Sequence, residues 1–201
     1  MNNFIYTKVY SPPPVDKREA LRYARAGEGN EMSALLQECI DEAEGRLTYK
    51  VCYGEFDISC AGEELDLNFA KTGSRLLMKN LGGCHKIVLF CATVGVEMDR
   101  LIAKYAATSP AKSMMLDALG SERVEALCDL FNSEIAQTAR DEGCKAHPRF
   151  SPGYGDLPLE IQRAIFSVLN PEKRIGVMLN DNLFMSPSKS VTAIIGIEKD
   201  N

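Results

Sequence analysis

Residues 86–92, which read KIVLFCA, contain six consecutive apolar residues at positions 87–92, the longest uninterrupted apolar run in the chain. This run is far shorter than the roughly 20 apolar residues that a membrane-spanning helix needs. It is also too apolar for a strand that keeps one face in water. The stretch therefore predicts a strand at the centre of a sheet, buried on both faces.

The sequence around this strand mixes extended and helical patterns without regular alternation. Residues 49–53 and 65–69 alternate apolar and polar positions, which predicts two strands paired as a hairpin. Further short strands are predicted at 175–179 and 191–197. Helical spacing is found at 16–24, 32–40, 74–81, 94–105, from Ser109-Pro110 onwards, again at 124–135, and at 159–169. This order favours an α+β fold, a mainly antiparallel sheet with helices packed around it, over a doubly wound sheet.

The first 14 residues are interpreted as an N-terminal arm. Phe4, Tyr6 and Val9 alternate with polar residues, as in an edge strand, and Pro12-Pro13-Pro14 follows. Proline can neither continue a hydrogen-bonded ladder nor lie within a helix. Asp16 is then suited to cap the first helix. With no internal repeat or low-complexity segment, residues 1–201 are interpreted as one domain.

The charge balance restricts the classes of partner. The chain has 23 Lys+Arg and 28 Asp+Glu, a net charge of −5, which argues against a nucleic-acid or anionic membrane surface. The N-terminus has no basic region followed by an apolar one, so neither secretion nor membrane insertion is expected. We therefore expect a cytoplasmic protein that acts on a small molecule or on another protein.

Cysteine and histidine usage argues against a metal site. The seven cysteines are odd in number, lack CxxC spacing and mostly lie in apolar runs, which indicates buried free thiols in a reducing compartment. His85 and His147 are the only histidines. No bound metal is therefore predicted.

The segment CKAHPRFSPGYGDLP, residues 144–158, is the strongest candidate for a functional loop. A connection this long without helix or strand is uncommon in a compact domain. Arg149 could hold a carboxylate through two hydrogen bonds, Gly153 would let a planar group approach the backbone, and Tyr154 adds a ring with a polar tip. The alternative is a surface loop that folds on Phe150 and Tyr154.

The run Arg149-Phe150-Ser151-Pro152-Gly153-Tyr154 has the pattern RxxxGY and resembles the S-adenosylmethionine-binding motif of the activation domain of cobalamin-dependent methionine synthase. Two further segments resemble that family: residues 175–179 (IGVML) followed by Met185, Pro187, Ser190 and Val191, and the helical segment 117–133. The matches cover about residues 115–197.

The resemblance implies a role in reactivation. In this family, cobalamin that has oxidised to the cobalt(II) form receives one electron from a flavodoxin-like donor and a methyl group from S-adenosylmethionine, which supports methionine biosynthesis. By position, Arg149 would bind the carboxylate of the methyl donor. Ser151, Pro152, Gly153 and Tyr154 would line its adenosine part.

Three more positions follow from the same resemblance. The Tyr154 ring would face the cobalt and is the candidate catalytic residue. Glu125 falls where the family has a helix carboxylate near the ligand, the alternative being a solvated helix glutamate. Ile195 and Gly196 stand where the family has an aromatic pair that contacts the ligand, and Gly155-Asp156-Leu157-Pro158 replaces the family's Pro-Ala-Cys-Pro.

The chain contains no DxHxxG run of the kind that carries cobalamin. The resemblance therefore predicts a freestanding activation domain that acts in trans on a methionine synthase lacking its own, so that cobalamin would be present only through the partner. Two alternatives remain open. One is a non-catalytic module that binds a corrinoid protein or senses S-adenosylmethionine, and the other is a reactivator of a different corrinoid methyltransferase.

Overall fold

The computed structural model describes residues 4–27 and 29–200. The strands in these ranges are β1 (Ile5–Tyr10), β2 (Tyr49–Asp57), β3 (Ser59–Ala61), β4 (Glu64–Asp66), β5 (Lys71–Thr72), β6 (Cys84–Thr93), β7 (Cys144–Ala146), β8 (Met178–Leu179), β9 (Met185–Ser186) and β10 (Ser190–Lys199). The helices are α1 (Lys17–Tyr23), α2 (Asn30–Ala43), α3 (Arg75–Asn80), α4 (Glu97–Tyr105), α5 (Pro110–Asp141), α6 (Ile161–Leu169) and α7 (Pro171–Ile175).

The main sheet is antiparallel throughout and has the strand order β1-β2-β6-β10-β7. Its middle strand, β6, contains the KIVLFCA stretch. Alternate side chains of that stretch enter two separate cores, with Val88, Phe90 and Ala92 on one face and Ile87, Leu89 and Cys91 on the other. Because both faces are covered, neither set of side chains can be polar. The predicted α+β fold with a buried central strand is confirmed.

Helix α5 covers one face of the sheet. Its 32 residues extend about 48 Å at 1.5 Å per residue, and they join the two helical stretches expected between residues 109 and 143. Gly120 lies within this helix where a neighbour comes close, since a Cβ there would stand 2.7 Å from Met98 Cγ and 2.9 Å from Lys189 Cγ. The glycine therefore permits close packing rather than ending the helix.

Two local predictions are wrong. The predicted hairpin between residues 49–53 and 65–69 does not form, because both edges of β2 are taken by β1 and β6 while β4 pairs with β3 and β5. The strand expected at 175–179 is shortened to β8, since Pro171 opens the short helix α7 just before it. Proline suits the first turn of a helix because its missing N–H is not needed there.

Part of the N-terminal arm belongs to the sheet. Residues 5–10 form the edge strand β1, and residues 12–16 then cross α5 as an irregular segment. Asp16 caps α1 as expected, since its Oδ1 accepts hydrogen bonds from the backbone amides of Arg18 and Glu19. Positions 1–3 of the predicted arm lie outside the described residues.

The cysteines of the described residues are free thiols, and most are buried. Burial raises the pKa of Cys39 to about 11 and raises that of Cys128 still further. Cys60 is exposed, contrary to the expectation of a buried thiol, because it lies in the short β3–β4 hairpin outside the main sheet. No helix in the described ranges is both long and apolar enough to cross a membrane.

Candidate functional site

A cleft of about 490 Å³ opens beside α5, a volume within the usual range for small-molecule sites. Residues 13–23 form one wall, from the second and third prolines through Asp16 and Glu19 to Tyr23. The other wall comes from α5 and from Arg149, which enters from the loop after β7. The N-terminal segment, helix α5 and the RxxxGY motif therefore all contribute residues to the cleft.

Arg149 is held at the cleft by two carboxylates of α5. Its Nη2 donates to Glu125 Oε2 at 2.6 Å, and its Nη1 donates to Asp129 Oδ1 at 2.5 Å. Glu125 and Asp129 are four residues apart and so share one helix face. Burial lowers the pKa of Arg149, but its hydrogen bonds to the two carboxylates and the neighbouring negative charges together hold the pKa above its ordinary value. The structure thus brings the predicted site residues Arg149 and Glu125 into contact.

The charge of the cleft is predominantly negative. Five carboxylates line it, those of Asp16, Glu19, Glu122, Glu125 and Asp129. Three guanidiniums pair with them, since Arg149 bonds Glu125 and Asp129, Arg22 bonds Glu19 and Arg123 bonds Glu122, which leaves an excess of negative charge. An excess of negative charge favours a ligand with cationic groups. Arg149 within it provides a geometry suited to a carboxylate. A ligand that carries both kinds of group therefore fits the cleft better than a simple anion.

The predicted motif residues 151–154 form a tight turn after Arg149. The Tyr154 amide donates to the Ser151 carbonyl at 3.1 Å, and the Gly153 amide donates to the Leu157 carbonyl at 2.9 Å. Gly153 and Gly155 have φ angles of +83° and +59°, a left-handed conformation that favours glycine. Pro152 is buried. The turn is therefore shaped by its own backbone bonds and by two glycines.

The Tyr154 side chain points out of the protein and is 67% exposed. Its ring packs edge-on against buried Phe150, with the ring centroids 5.3 Å apart. Tyr154 is not among the residues that line the cleft. The structure thus separates the two expected roles of the motif, with Arg149 in the cleft and Tyr154 on the adjoining surface.

Both ends of helix α3 bind this loop. At the N-terminus of α3, Asp156 of the loop accepts hydrogen bonds from the Ser74 hydroxyl and from the Arg75 amide, the latter at 2.8 Å. The hydrogen bond from Ser74 lowers the pKa of Asp156, as do those from the backbone amides. At its C-terminus, Asn80 Nδ2 donates to the Pro148 carbonyl at 3.2 Å. The segment that replaces the family's Pro-Ala-Cys-Pro thus contributes the aspartate that anchors the loop.

Ile195 and Gly196 lie away from the cleft. Both are buried in β10, and Ile195 packs into the core on the α5 side of the sheet. A Cβ on Gly196 would stand 2.6 Å from both Cys84 Sγ and Leu81 Cδ2. This strand is covered on both faces and neither residue lines the cleft, so their expected contact with a ligand stays a prediction.

Several cleft residues are not evident in the sequence. Asp129 could have been found from Glu125, because residues four apart lie on one helix face. Asp16, Glu19 and Tyr23 gave no such signal, since their distance along the chain from Arg149 hides their proximity. In the part of the chain that the structure describes, no group of three or more His, Cys, Asp or Glu side chains could hold a metal ion.

Comparison with known proteins agrees with this architecture. The family model described as "Vitamin B12 dependent methionine synthase, activation domain" matches residues 76–201, more than half of the chain. No curated protein matches the sequence. A solved structure described as the MetH reactivation domain bound to AdoHcy superimposes with a TM-score of 0.73 at 17% identity, covering 98% of this chain and 79% of that one. The chain therefore belongs to the family of activation domains of vitamin B12-dependent methionine synthases.

Proposed function

We propose that this protein binds S-adenosylmethionine in the cleft at Arg149 and supports the reductive remethylation of cobalamin in trans, on a methionine synthase without its own activation domain. The contact of Arg149 with Glu125 carries this proposal. These two residues match the family's motif and its preceding helix, and the structure places them together in a cleft of suitable size.

The chemistry of the cleft suits this ligand. S-adenosylmethionine carries a carboxylate, an ammonium and a sulfonium group. A guanidinium has five N–H donors, so Arg149 can keep its bonds to Glu125 and Asp129 and still donate to a ligand carboxylate. The surrounding carboxylates complement the two cationic groups.

The proposed role requires positioning rather than acid–base catalysis. S-adenosylmethionine supplies the methyl group when bound, and its transfer to a reduced cobalt centre requires no general base. The residues of this chain would hold the donor in a fixed orientation, with their charges already arranged around it. This division of labour fits a site built from one arginine, several carboxylates and a rigid turn.

The turn beside the cleft is suited to meet the partner. Tyr154 is exposed there, and the partly exposed side chains of Leu76 and Leu159 lie against the turn at Gly155 and Gly153. We propose that this apolar surface meets the partner's corrinoid, with the Tyr154 ring toward the cobalt. A flavodoxin-like protein would supply the electron, and the reaction would take place in the cytoplasm.

Titration calorimetry with S-adenosylmethionine tests the ligand. The wild type should bind, and Arg149→Ala should weaken binding at least tenfold, because a charged hydrogen-bonding partner is lost from a partly buried site. Arg140→Ala is the matched control, since Arg140 lies near the end of α5 and bonds only Gln137 in the described contacts. Absence of binding by the wild type would refute ligand-based reactivation.

A second experiment tests the reaction. The protein is mixed with a methionine synthase truncated after its cobalamin domain, in the cobalt(II) form, together with a reductant and S-adenosylmethionine. Return of the methylcobalamin spectrum supports reactivation. Ligand binding without that return favours the alternative of a non-catalytic sensor or corrinoid-binding module, and return only with another corrinoid protein favours a different methyltransferase as the partner.

A further inference from the structure

The N-terminal wall of the cleft begins with an irregular segment, and we name residues 12–16 the proline strap. It contains Pro12-Pro13-Pro14 and ends at Asp16, the residue that caps α1. The family match begins at residue 76, so the strap lies outside it. Proline removes backbone N–H donors, which leaves the strap with carbonyl acceptors and little ability to hold itself by regular hydrogen bonding.

A buried ion pair on α5 holds the strap in place. Glu122 and Arg123 are each only 3% exposed. Arg123 Nη1 donates to the Pro13 carbonyl at 2.6 Å and Nη2 to the Pro14 carbonyl at 2.8 Å. Glu122 Oε1 accepts from the Asp16 amide at 2.9 Å. The donors of the arginine thus bind the carbonyls of two strap prolines, and the carboxylate binds the amide of Asp16, the last residue of the strap.

The geometry of this pair depends on the strap. Adjacent residues on a helix do not face each other, yet the Glu122 carboxylate and the Arg123 guanidinium meet beneath the strap. A buried charge is tolerated when its remaining hydrogen-bonding groups also find partners. The carbonyls of Pro13 and Pro14 provide those partners for Arg123. The pair and the strap therefore support each other.

The strap, together with the packing of α1 on α5, positions two cleft residues. The Asp16 side chain caps α1 through the amides of Arg18 and Glu19. Helix α1 in turn carries Glu19 and Tyr23 into the cleft, opposite Arg149. A displacement of the strap would therefore move one complete wall of the cleft relative to the other.

We propose that Arg123 is a positioning residue for the ligand cleft. With Glu122, it holds the proline strap against α5 and so sets the separation between the α1 wall and the Arg149 wall. Arg123 does not itself line this cleft. The identity of the ligand rests on the proposed function, but the holding of the strap does not.

The test uses Arg123→Lys in the full chain. Lysine keeps the positive charge beside Glu122, so the buried carboxylate stays paired, but its single ammonium cannot reproduce the guanidinium fork on both proline carbonyls. Glu134→Gln is the matched control. Glu134 also lies on α5 and also ties it to the N-terminal segment, through Lys8 and Tyr10 of β1, but it does not line the cleft.

Two readouts are needed for each variant. Calorimetry with S-adenosylmethionine should show binding about tenfold weaker for Arg123→Lys, because a small misplacement of binding groups has a large effect on a shaped site. Hydrogen exchange should show faster exchange of the amides at 15–23, while β6 keeps its protection. Glu134→Gln should leave both the affinity and the exchange at 15–23 unchanged.

The outcomes separate this inference from the proposed function. Exchange at 15–23 that is no faster in Arg123→Lys overturns the inference, whether or not S-adenosylmethionine binds. Loss of protection in β6 as well also overturns it, since the pair would then support the whole fold rather than the strap. Faster exchange with unchanged affinity refutes the positioning role. A wild type that does not bind S-adenosylmethionine refutes the proposed function, and the exchange result still decides whether Arg123 holds the strap.

Discussion

The proline strap and the loop at residues 147–158, which carries Arg149, both contribute to the cleft and are held in different ways. The strap is fixed by a buried ion pair of the core helix α5, whose charges reach out to its backbone. The loop is fixed by its own exposed residue, Asp156, which reaches to the first turn of the short helix α3. The family match includes the loop but not the strap.

This difference indicates how each segment would respond to change. Displacing the strap leaves Glu122 and Arg123 paired with each other, so the effect stays at the strap, whereas removing Arg123 leaves a buried carboxylate without its partner and lowers the stability of the whole fold. Disturbing the loop releases groups that water can satisfy, so the effect stays local. We therefore expect the strap to be a rigid wall and the loop to be the adjustable part of the site.

The largest effect is expected for Arg123→Met, which removes one partner of the buried pair. Unfolding in urea should show a loss of about 3–5 kcal/mol, because Glu122 is left charged and buried. Glu134→Gln should lose about 1 kcal/mol or less, since the Lys8–Glu134 pair is partly exposed. Equal losses in the two variants would contradict the view that the strap is held by the core.

The sequence predicted the loop better than the strap for a physical reason. The residues that identify the loop are close together in the sequence, since Arg149, Gly153 and Tyr154 lie within six residues and form a recognisable pattern. The strap depends on contacts between residues about 110 positions apart, such as Pro13 with Arg123, and no local periodicity encodes them. The central strand was predictable because burial on both faces is visible in the composition of six consecutive residues.

The wrong hairpin prediction has the same origin. The expected hairpin of residues 49–53 with 65–69 assumed that strands close in sequence pair together, whereas the partners of β2 come from the N-terminus and from β6. The pairing was decided by the order of the strands, which the local pattern does not contain.

A smaller effect is expected in the loop for Gly155→Ala. Gly155 has a φ of +59°, and a Cβ there would stand 2.4 Å from Leu76 Cδ1. Gly62 is the matched control, with a φ of +63° and no atom within 4 Å of a Cβ. The left-handed conformation should cost about 1–2 kcal/mol in each alanine variant.

Only Gly155→Ala must also displace Leu76, so its melting temperature should fall below that of Gly62→Ala. Hydrogen exchange should localise the additional change to residues 151–158 and α3. Identical melting temperatures for the two variants would show that the contact with Leu76 does not constrain the loop.

The smallest effect is expected for Asp156→Asn, and its pH dependence identifies the cause. Hydrogen bonds from Ser74 and from the α3 amides lower the pKa of Asp156, so the carboxylate stabilises the fold above its ordinary pKa of about 3.9. At neutral pH the variant should melt lower than the wild type by no more than about 2 °C. As the pH falls through the lowered pKa of the folded protein, the wild type loses this stabilisation and the difference should vanish. A difference that persists at a pH where the carboxyl group is protonated in the folded protein would mean that Asp156 acts through its shape rather than its charge. The loop would then be held by contacts that protonation of a carboxylate does not release.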